Sequence, residues 1–152
     1  QVVHQLLAQV NPHDLFLGQK DYQQCMVIDR LMQQTGFKET VKLHICPTLR
    51  ETDGLAMSSR NRRLNDSDRK KAASIFRTLS YLKQQLHTVS LDALLQTASD
   101  QLEQEGFRTD YLVVADAASL QPVSTWDGSQ KLVALVATFL GGVRLIDNLP
   151  LN

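Results

Sequence analysis

Ser58, Ser59 and Arg60 stand together in the stretch Arg50-Glu-Thr-Asp-Gly-Leu-Ala-Met-Ser-Ser-Arg-Asn61, with Arg62 and Arg63 directly behind them. Two hydroxyls beside a run of guanidinium groups suit a phosphate chain. Hydroxyl and backbone N–H groups donate to phosphate oxygens, and each guanidinium offers a planar fork of donors that matches them. Asp53-Gly54 is a turn signal placed ahead of these donors. Upstream, Gly18-Gln-Lys-Asp21 sets a cation beside a carboxylate, so that one can meet phosphate while the other accepts from ribose hydroxyls. By charge alone either stretch is an ordinary solvated surface, so the elements that carry them decide what they mean.

Val2, Val3, Leu6, Leu7 and Val10 recur at helical spacing up to Asn11-Pro12, which predicts a helix over 2–10. Asp14 to Leu17 reads as a short strand ended by Gly18. Asp21 to Gln34 reads as a helix with Tyr22, Cys25, Met26, Ile28, Leu31 and Met32 inward and Gly36 at its C-terminal cap. Val41 to Cys46 then reads as a strand stopped by Pro47. A β-α-β order within about thirty residues is the spacing of a parallel crossover. Both candidate stretches therefore follow the carboxyl ends of parallel strands, the edge at which open α/β sheets bind ligands. Gly18 to Asp21 also opens a helix, whose first N–H groups favour an anion. The two stretches can face a single ligand, and a nucleotide phosphate chain is the natural candidate.

Beyond residue 63 the pattern changes. Ala72, Ile75, Phe76, Leu79 and Leu82 predict one helix from Ser67 to Leu86, capped by Asn65 or Ser67. Ser90 caps a second helix that runs through Leu102 and ends at Gly106. Strands over 110–115, 132–139 and 143–146 follow, the last two joined at Gly141-Gly142. The fold class read from this order is α/β. The end of a Rossmann-like parallel-sheet lobe occupies residues 1–49, and a small α+β lobe with a mostly antiparallel sheet occupies residues 50–152.

Composition narrows the function classes. With 43% hydrophobic and 21% charged residues over 152 positions, the chain can bury a core, which argues against disorder. Sixteen basic residues balance sixteen acidic ones, so no global field draws it to nucleic acid or an anionic membrane, and any anion site is local. The most apolar run, Leu132 to Leu140, is far shorter than the roughly 20 residues needed for a membrane-spanning helix, and no signal peptide is visible. Cys25 and Cys46 lack metal or redox spacing and read as buried free thiols in a reducing compartment. His4, His13, His44 and His87 have no partner at ligand spacing, so no metal site is expected from them. His44 reads as half-buried on its strand, and Trp126 as a turn residue whose indole packs on the small sheet.

The two stretches resemble the pantothenate synthetase family, the pantoate–β-alanine ligases. That family carries Gly-Glu-Lys-Asp-(Tyr/Phe)-Gln-Gln, answered here by Gly18-Gln-Lys-Asp-Tyr-Gln-Gln24. It also carries Pro-Thr-x-Arg-Glu-x-Asp-Gly-Leu-Ala-(Met/Leu)-Ser-Ser-Arg-Asn, matched without departure by Pro47 to Asn61. A looser resemblance runs on to Arg144-Leu-Ile-Asp-Asn148, so it covers essentially the whole chain. It implies an ATP-dependent, AMP-forming ligase that uses Mg²⁺ and joins pantoate to β-alanine through a pantoyl adenylate, in a cytoplasmic homodimer. It implies ATP contacts at Gly18, Gln19, Lys20 and Asp21, adenine contacts from the backbone of Leu49 and Met57, and pantoate at Gln24. Ser58, Ser59 and Arg60 become the counterpart of the mobile Lys-Met-Ser-Lys-Ser loop of class I synthetases, carrying the catalysis together with Lys20. Gln19 departs from the family's Glu, so that position offers an amide in place of a carboxylate.

The family begins with a nucleotide-binding half that bears a His-x-Gly-His-type motif. No such motif occurs here, and the chain opens at Gln1 inside an amphipathic pattern. It is therefore expected to be the C-terminal portion of such an enzyme and to lack ligase activity alone. Two other readings stay open. One is another nucleotidyltransferase of the same superfamily, sharing the phosphate loop; the other is a non-catalytic C-terminal lid or dimerisation domain.

Overall fold

The computed structural model describes residues 2–152, so Gln1 lies outside the described residues. Two compact units divide the chain between Thr48 and Leu49. The first contains α1 (Val2–Val10), β1 (Asp14–Gly18), a 3-10 turn at Gln19–Asp21, α2 (Tyr22–Gln34) and β2 (Lys42–Cys46). β1 and β2 pair in parallel, from Asp14 opposite Lys42 to Gly18 opposite Cys46, with α2 as the crossover. Strand alternation sends Leu15, Leu17 and Leu43 to the face that packs on Leu7, Ile28, Met32 and Val41. Asp14, Phe16 and His44 take the opposite face. There His44 Nε2 lies 2.6 Å from Asp14 Oδ1, and its ring stacks on Phe16 at 4.6 Å. Gly36 follows α2 in the left-handed conformation, φ 77°, which ends the helix as the sequence led us to expect.

The two thiols differ. Cys25 is buried on α2 and its Sγ–H donates to Gly18 O at 3.4 Å. Burial first, and then the nearby Asp21 carboxylate, push its pKa up, so it stays a protonated thiol. Cys46 is exposed, contrary to the expectation of a buried thiol. It pairs with Gly18 on the sheet face turned away from the apolar cluster, and its apolar sequence neighbours Leu43 and Ile45 belong to the other face.

The second unit contains α3 (Asp66–Lys71), α4 (Ser74–Gln85), α5 (Leu91–Gln104), β3 (Arg108–Asp116), β4 (Leu132–Leu140) and β5 (Val143–Pro150). Its sheet has the order β3-β4-β5, antiparallel throughout. One face packs Val114, Leu132, Ala134 and Val136 against Ile75, Leu79 and Leu82 of α4 and Leu94, Ala98 and Leu102 of α5. Trp126 packs against this core and donates its indole N–H to Gln130 O at 3.1 Å. The helix expected over 67–86 is broken at Ala72-Ala73. Both alanines are buried, and Ile75 N–H returns to Ala72 O at 3.2 Å. Because Ala72 and Ile75 face the same core on either side of the break, the apolar stripe runs through it and read as one helix. Asn65 caps α3 by accepting from Asp68 N–H at 2.9 Å, and Ser90 caps α5 by accepting from Ala93 N–H at 3.4 Å. β5 extends to Pro150, four residues past its apolar run, because Asp147 and Asn148 still pair with β4. Among the described residues no helix is long and apolar enough to cross a membrane.

The segment Leu49–Asn61 is docked onto this unit by a charged group. Arg50 meets Asp147 at two points, 2.6 and 3.0 Å, with side chains 17% and 2% exposed. Removing one partner of such a desolvated pair costs about 3–5 kcal/mol. Asp53 Oδ1 accepts from Leu55 N–H at 3.2 Å, and the same carboxylate binds Arg69 at 2.6 Å. Gly54 has φ 90°, and a Cβ there would overlap the Phe76 ring.

Gly54→Ala is therefore expected to destabilise the unit by roughly 2–4 kcal/mol through backbone strain and overlap with the ring; urea unfolding indistinguishable from the parent chain would refute this docking. The bond to Arg69 holds the Asp53 pKa below its ordinary value, so its stabilisation is present above the unfolded carboxyl pKa of about 3.9 and is lost as pH falls through the folded value. The pair is partly exposed, so the effect is modest. Asp53→Asn should flatten that part of the acid-unfolding curve, as read by circular dichroism.

Candidate functional site

In the first unit the candidate residues gather where β1 hands over to α2. Gly18 has an ordinary extended backbone, φ −77° and ψ 127°, and a Cβ at that position would meet nothing within 4 Å. Neither conformation nor crowding within the unit calls for glycine, so the space beside this backbone is open. Gln19 and Lys20 are half-buried, whereas Asp21 and Gln24 are exposed. Asp21 occupies the N-cap position of α2 without a side-chain capping bond. Its carboxylate lies at the helix entrance, exposed and without a capping bond.

In the second unit the candidates hang from a tight antiparallel turn. Met57 N–H donates to Leu49 O at 2.9 Å and Glu51 N–H to Leu55 O at 2.8 Å, bracketing a bridge between Arg50 and Ala56. Leu55 and Ala56 point into the core, each 3% exposed. Leu49 and Met57, at the open end of the turn, are 70% and 41% exposed. The Leu49 carbonyl and the Met57 N–H are consumed by each other.

Ser58 follows in an extended conformation, and its Oγ accepts from Arg60 N–H at 3.2 Å, capping the 3-10 turn Ser59–Arg63. Asn61 closes that turn, its N–H donating to Ser58 O at 3.1 Å and its Nδ2 to Ala56 O at 3.1 Å. A carbonyl can only accept, so Nδ2 must face Ala56 and Oδ1 must face away. That oxygen is buried and, among the described residues, has no partner. Arg60, Arg62 and Arg63 are exposed, and the ion pairs among the described residues engage other side chains.

An open cleft of about 670 Å³ lies against this turn, lined by Glu51, Met57, Ser58, Ser59, Asn61, Arg62 and Arg69. It gathers three expected residues, Met57, Ser58 and Ser59, while Leu49 and Arg60 lie outside its lining. Glu51, Asn61 and Arg69 are the lining residues that sequence reasoning missed. Glu51 and Asn61 lie inside the motif but carry no cue of their own. Arg69 reaches the cleft from α3, where its charge looks like any solvated helix face. Its bond to Asp53 raises its own pKa. Arg62 belongs to the arginine run that follows the serines, and the cleft gives it a specific place. No group of three His, Cys, Asp or Glu able to hold a metal ion occurs among the described residues.

A family model described as pantoate-beta-alanine ligase matches residues 1–150. The chain is similar to the pantothenate synthetase of Pseudomonas paraeruginosa strain PA7, with 42% identity over 99% of this chain and 53% of that protein. It is also similar to that of Bacteroides thetaiotaomicron, with 38% identity over 98% of this chain and 52% of that protein. Among solved structures, pantothenate synthetase from Thermus thermophilus superimposes with a TM-score of 0.89 at 36% identity, over 99% of this chain and 54% of that one. The pantoate-beta-alanine ligase from Francisella tularensis, complexed with beta-gamma ATP and beta-alanine, superimposes with a TM-score of 0.67 at 30% identity, over 98% of this chain and 48% of that one. The chain thus spans about half the length of the curated relatives it matches. Within that span the match takes in the Gly18 stretch, the turn before Asn61 and β5 alike, and the chain belongs to the pantoate–β-alanine ligase family.

Proposed function

We propose that this chain supplies nucleotide- and phosphate-handling residues to an ATP-dependent, AMP-forming ligation of pantoate to β-alanine. The observation that carries this reading is the cleft at Ser58–Asn61, whose lining includes both serines and Arg62, with Arg69 on α3. In the first step the pantoate carboxylate attacks the α-phosphorus of ATP and pyrophosphate leaves. The β-alanine amine then attacks the acyl carbon of the pantoyl adenylate, AMP leaves, and the nitrogen releases its proton. No protein nucleophile is needed, so Ser58 and Ser59 act as donors to phosphate. Donors already in place stabilise the charge that builds on the leaving pyrophosphate.

Leu49 and Met57 take adenine in this reading, both exposed at the open end of the turn, where the base can lie against their apolar side chains and backbone. Gly18 lets the chain pass close to the nucleotide, with Gln19, Lys20 and Asp21 beside it at the entrance of α2. Gln24 takes pantoate, because a neutral amide can serve a hydroxyl and a carboxylate at once. The residues present fit Mg²⁺ as a companion of ATP, since that ion takes few protein ligands and several from phosphate and water; Asp21, exposed and not used as a cap, is the carboxylate available to it. When bound, Mg²⁺ would neutralise phosphate charge. The domain roles in this reading are nucleotide binding for residues 1–49 and a lid and dimer unit for residues 50–152, working as a cytoplasmic homodimer.

Nuclear magnetic resonance titration of the chain with pyrophosphate tests the reading. Signals of Ser58, Ser59 and Arg62 are expected to shift, and Arg62→Ala should weaken pyrophosphate binding roughly ten-fold by removing a charge-assisted donor. An unmoved Ser58–Arg62 segment at millimolar pyrophosphate would sink it. Gly18→Ala should leave folding stability within about 1 kcal/mol, since nothing crowds the site, yet lower ATP affinity measured by calorimetry. Equal affinity would remove Gly18 from the nucleotide.

A further inference from the structure

Arg50 stands in the same motif as Arg60 and carries the same charge, yet the donors of its terminal fork are already spent. One terminal nitrogen donates to Asp147 Oδ2 at 2.6 Å and Gly54 O at 3.0 Å. The other donates to Asp147 Oδ1 at 3.0 Å and Asn148 O at 3.3 Å. Each of these nitrogens has two hydrogens, so all four are used, and the guanidinium carbon sits 4.0 Å from the Phe76 ring centroid. No fork remains for a phosphate. We infer that Arg50 is a positioning residue, which holds the Ser58–Ser59–Arg60 segment in place by tying its supporting turn to Asp147 and Phe76. The inference deepens the phosphate-handling reading above and rests on it for its functional meaning.

The path from Arg50 to the serines is short and fully bonded. Arg50 bridges Ala56, and the bracketing bond from Met57 N–H to Leu49 O fixes the residue just before Ser58. Ala56 O also receives the Asn61 amide, so the turn that presents Ser59 and Arg60 hangs from the residue that Arg50 faces. Phe76 closes the arrangement, because its ring covers the guanidinium and abuts Gly54. Release of the guanidinium frees Ala56 and Met57 together. Donors to a developing charge act only when they are held in place beforehand, so loosening this anchor weakens the phosphate segment without touching it.

Residue-resolved amide hydrogen exchange on the chain, paired with pyrophosphate titration, tests this. Arg50→Lys keeps the charge and loses the fork. It should speed exchange at Met57, Asn61 and Leu64 roughly ten-fold or more while β4 amides keep their rates. Asp147→Asn should do the same, and the double variant should go no further than the worse single, since both remove one pair. Phe76→Leu, which removes only the ring face, should give the same pattern more weakly and decides the matter where a charge variant does not fold. Loop amides at parent rates in any folded variant, or acceleration spread evenly over the unit, would overturn the inference. So would tighter pyrophosphate binding by Asp147→Asn, the mark of Arg50 acting as a ligand once freed. Should the unaltered chain fail to bind pyrophosphate while the exchange pattern holds, the phosphate reading falls and the anchor stands.

Discussion

The ion pair between Arg50 and Asp147 is the constraint on which the turn that opens the second unit depends. It joins residues 97 positions apart, linking the turn after Leu49 to the last strand of the sheet. Two charges taken this far out of water stay favourable only while the geometry is good and their remaining groups are bonded. Here the carbonyls of Gly54 and Asn148 and the face of Phe76 supply those partners. The turn therefore has one arrangement in which the charges are satisfied, and the Ser58–Arg63 segment inherits it.

The motif from Pro47 to Asn61 divides by physical role. Leu55, Ala56 and Asn61 are buried, and Gly54 fits beneath an aromatic ring that would exclude any side chain. These residues build a platform. Ser58, Ser59 and Arg60 stand on it, half-buried or exposed. Asp53 serves the platform too, folding its own backbone and holding Arg69 at the edge of the cleft. Much of a fifteen-residue motif is thus scaffold.

The first unit follows a plainer logic. Parallel pairing of β1 and β2 forces a crossover, α2 provides it, and the turn between β1 and α2 must then fall at the carboxyl end of the strand. Gly18, Lys20 and Asp21 are placed by that topology alone. Strand period also settles the fate of the two cysteines, since one turns inward from a helix while the other lies on the sheet face opposite the apolar cluster.

Element order, the parallel and antiparallel sheets and the caps at Gly36, Asn65 and Ser90 were legible in the sequence, because apolar period, turn residues and capping side chains act over a few positions. The family was legible in the same way, from contiguous residues around Gly18 and Pro47. The break at Ala72-Ala73 was not, since the core-facing stripe is the same on both sides of it. Nor was the pairing of Arg50 with Asp147 or of Asp53 with Arg69. Charge type says that an arginine can bind an anion and leaves open whether that anion is a phosphate or a carboxylate of the chain itself. Only the tertiary structure brings Asp147 within hydrogen-bonding distance and removes water from the pair, and that proximity turns one arginine of the motif into an anchor while Arg60, Arg62 and Arg63 stay exposed.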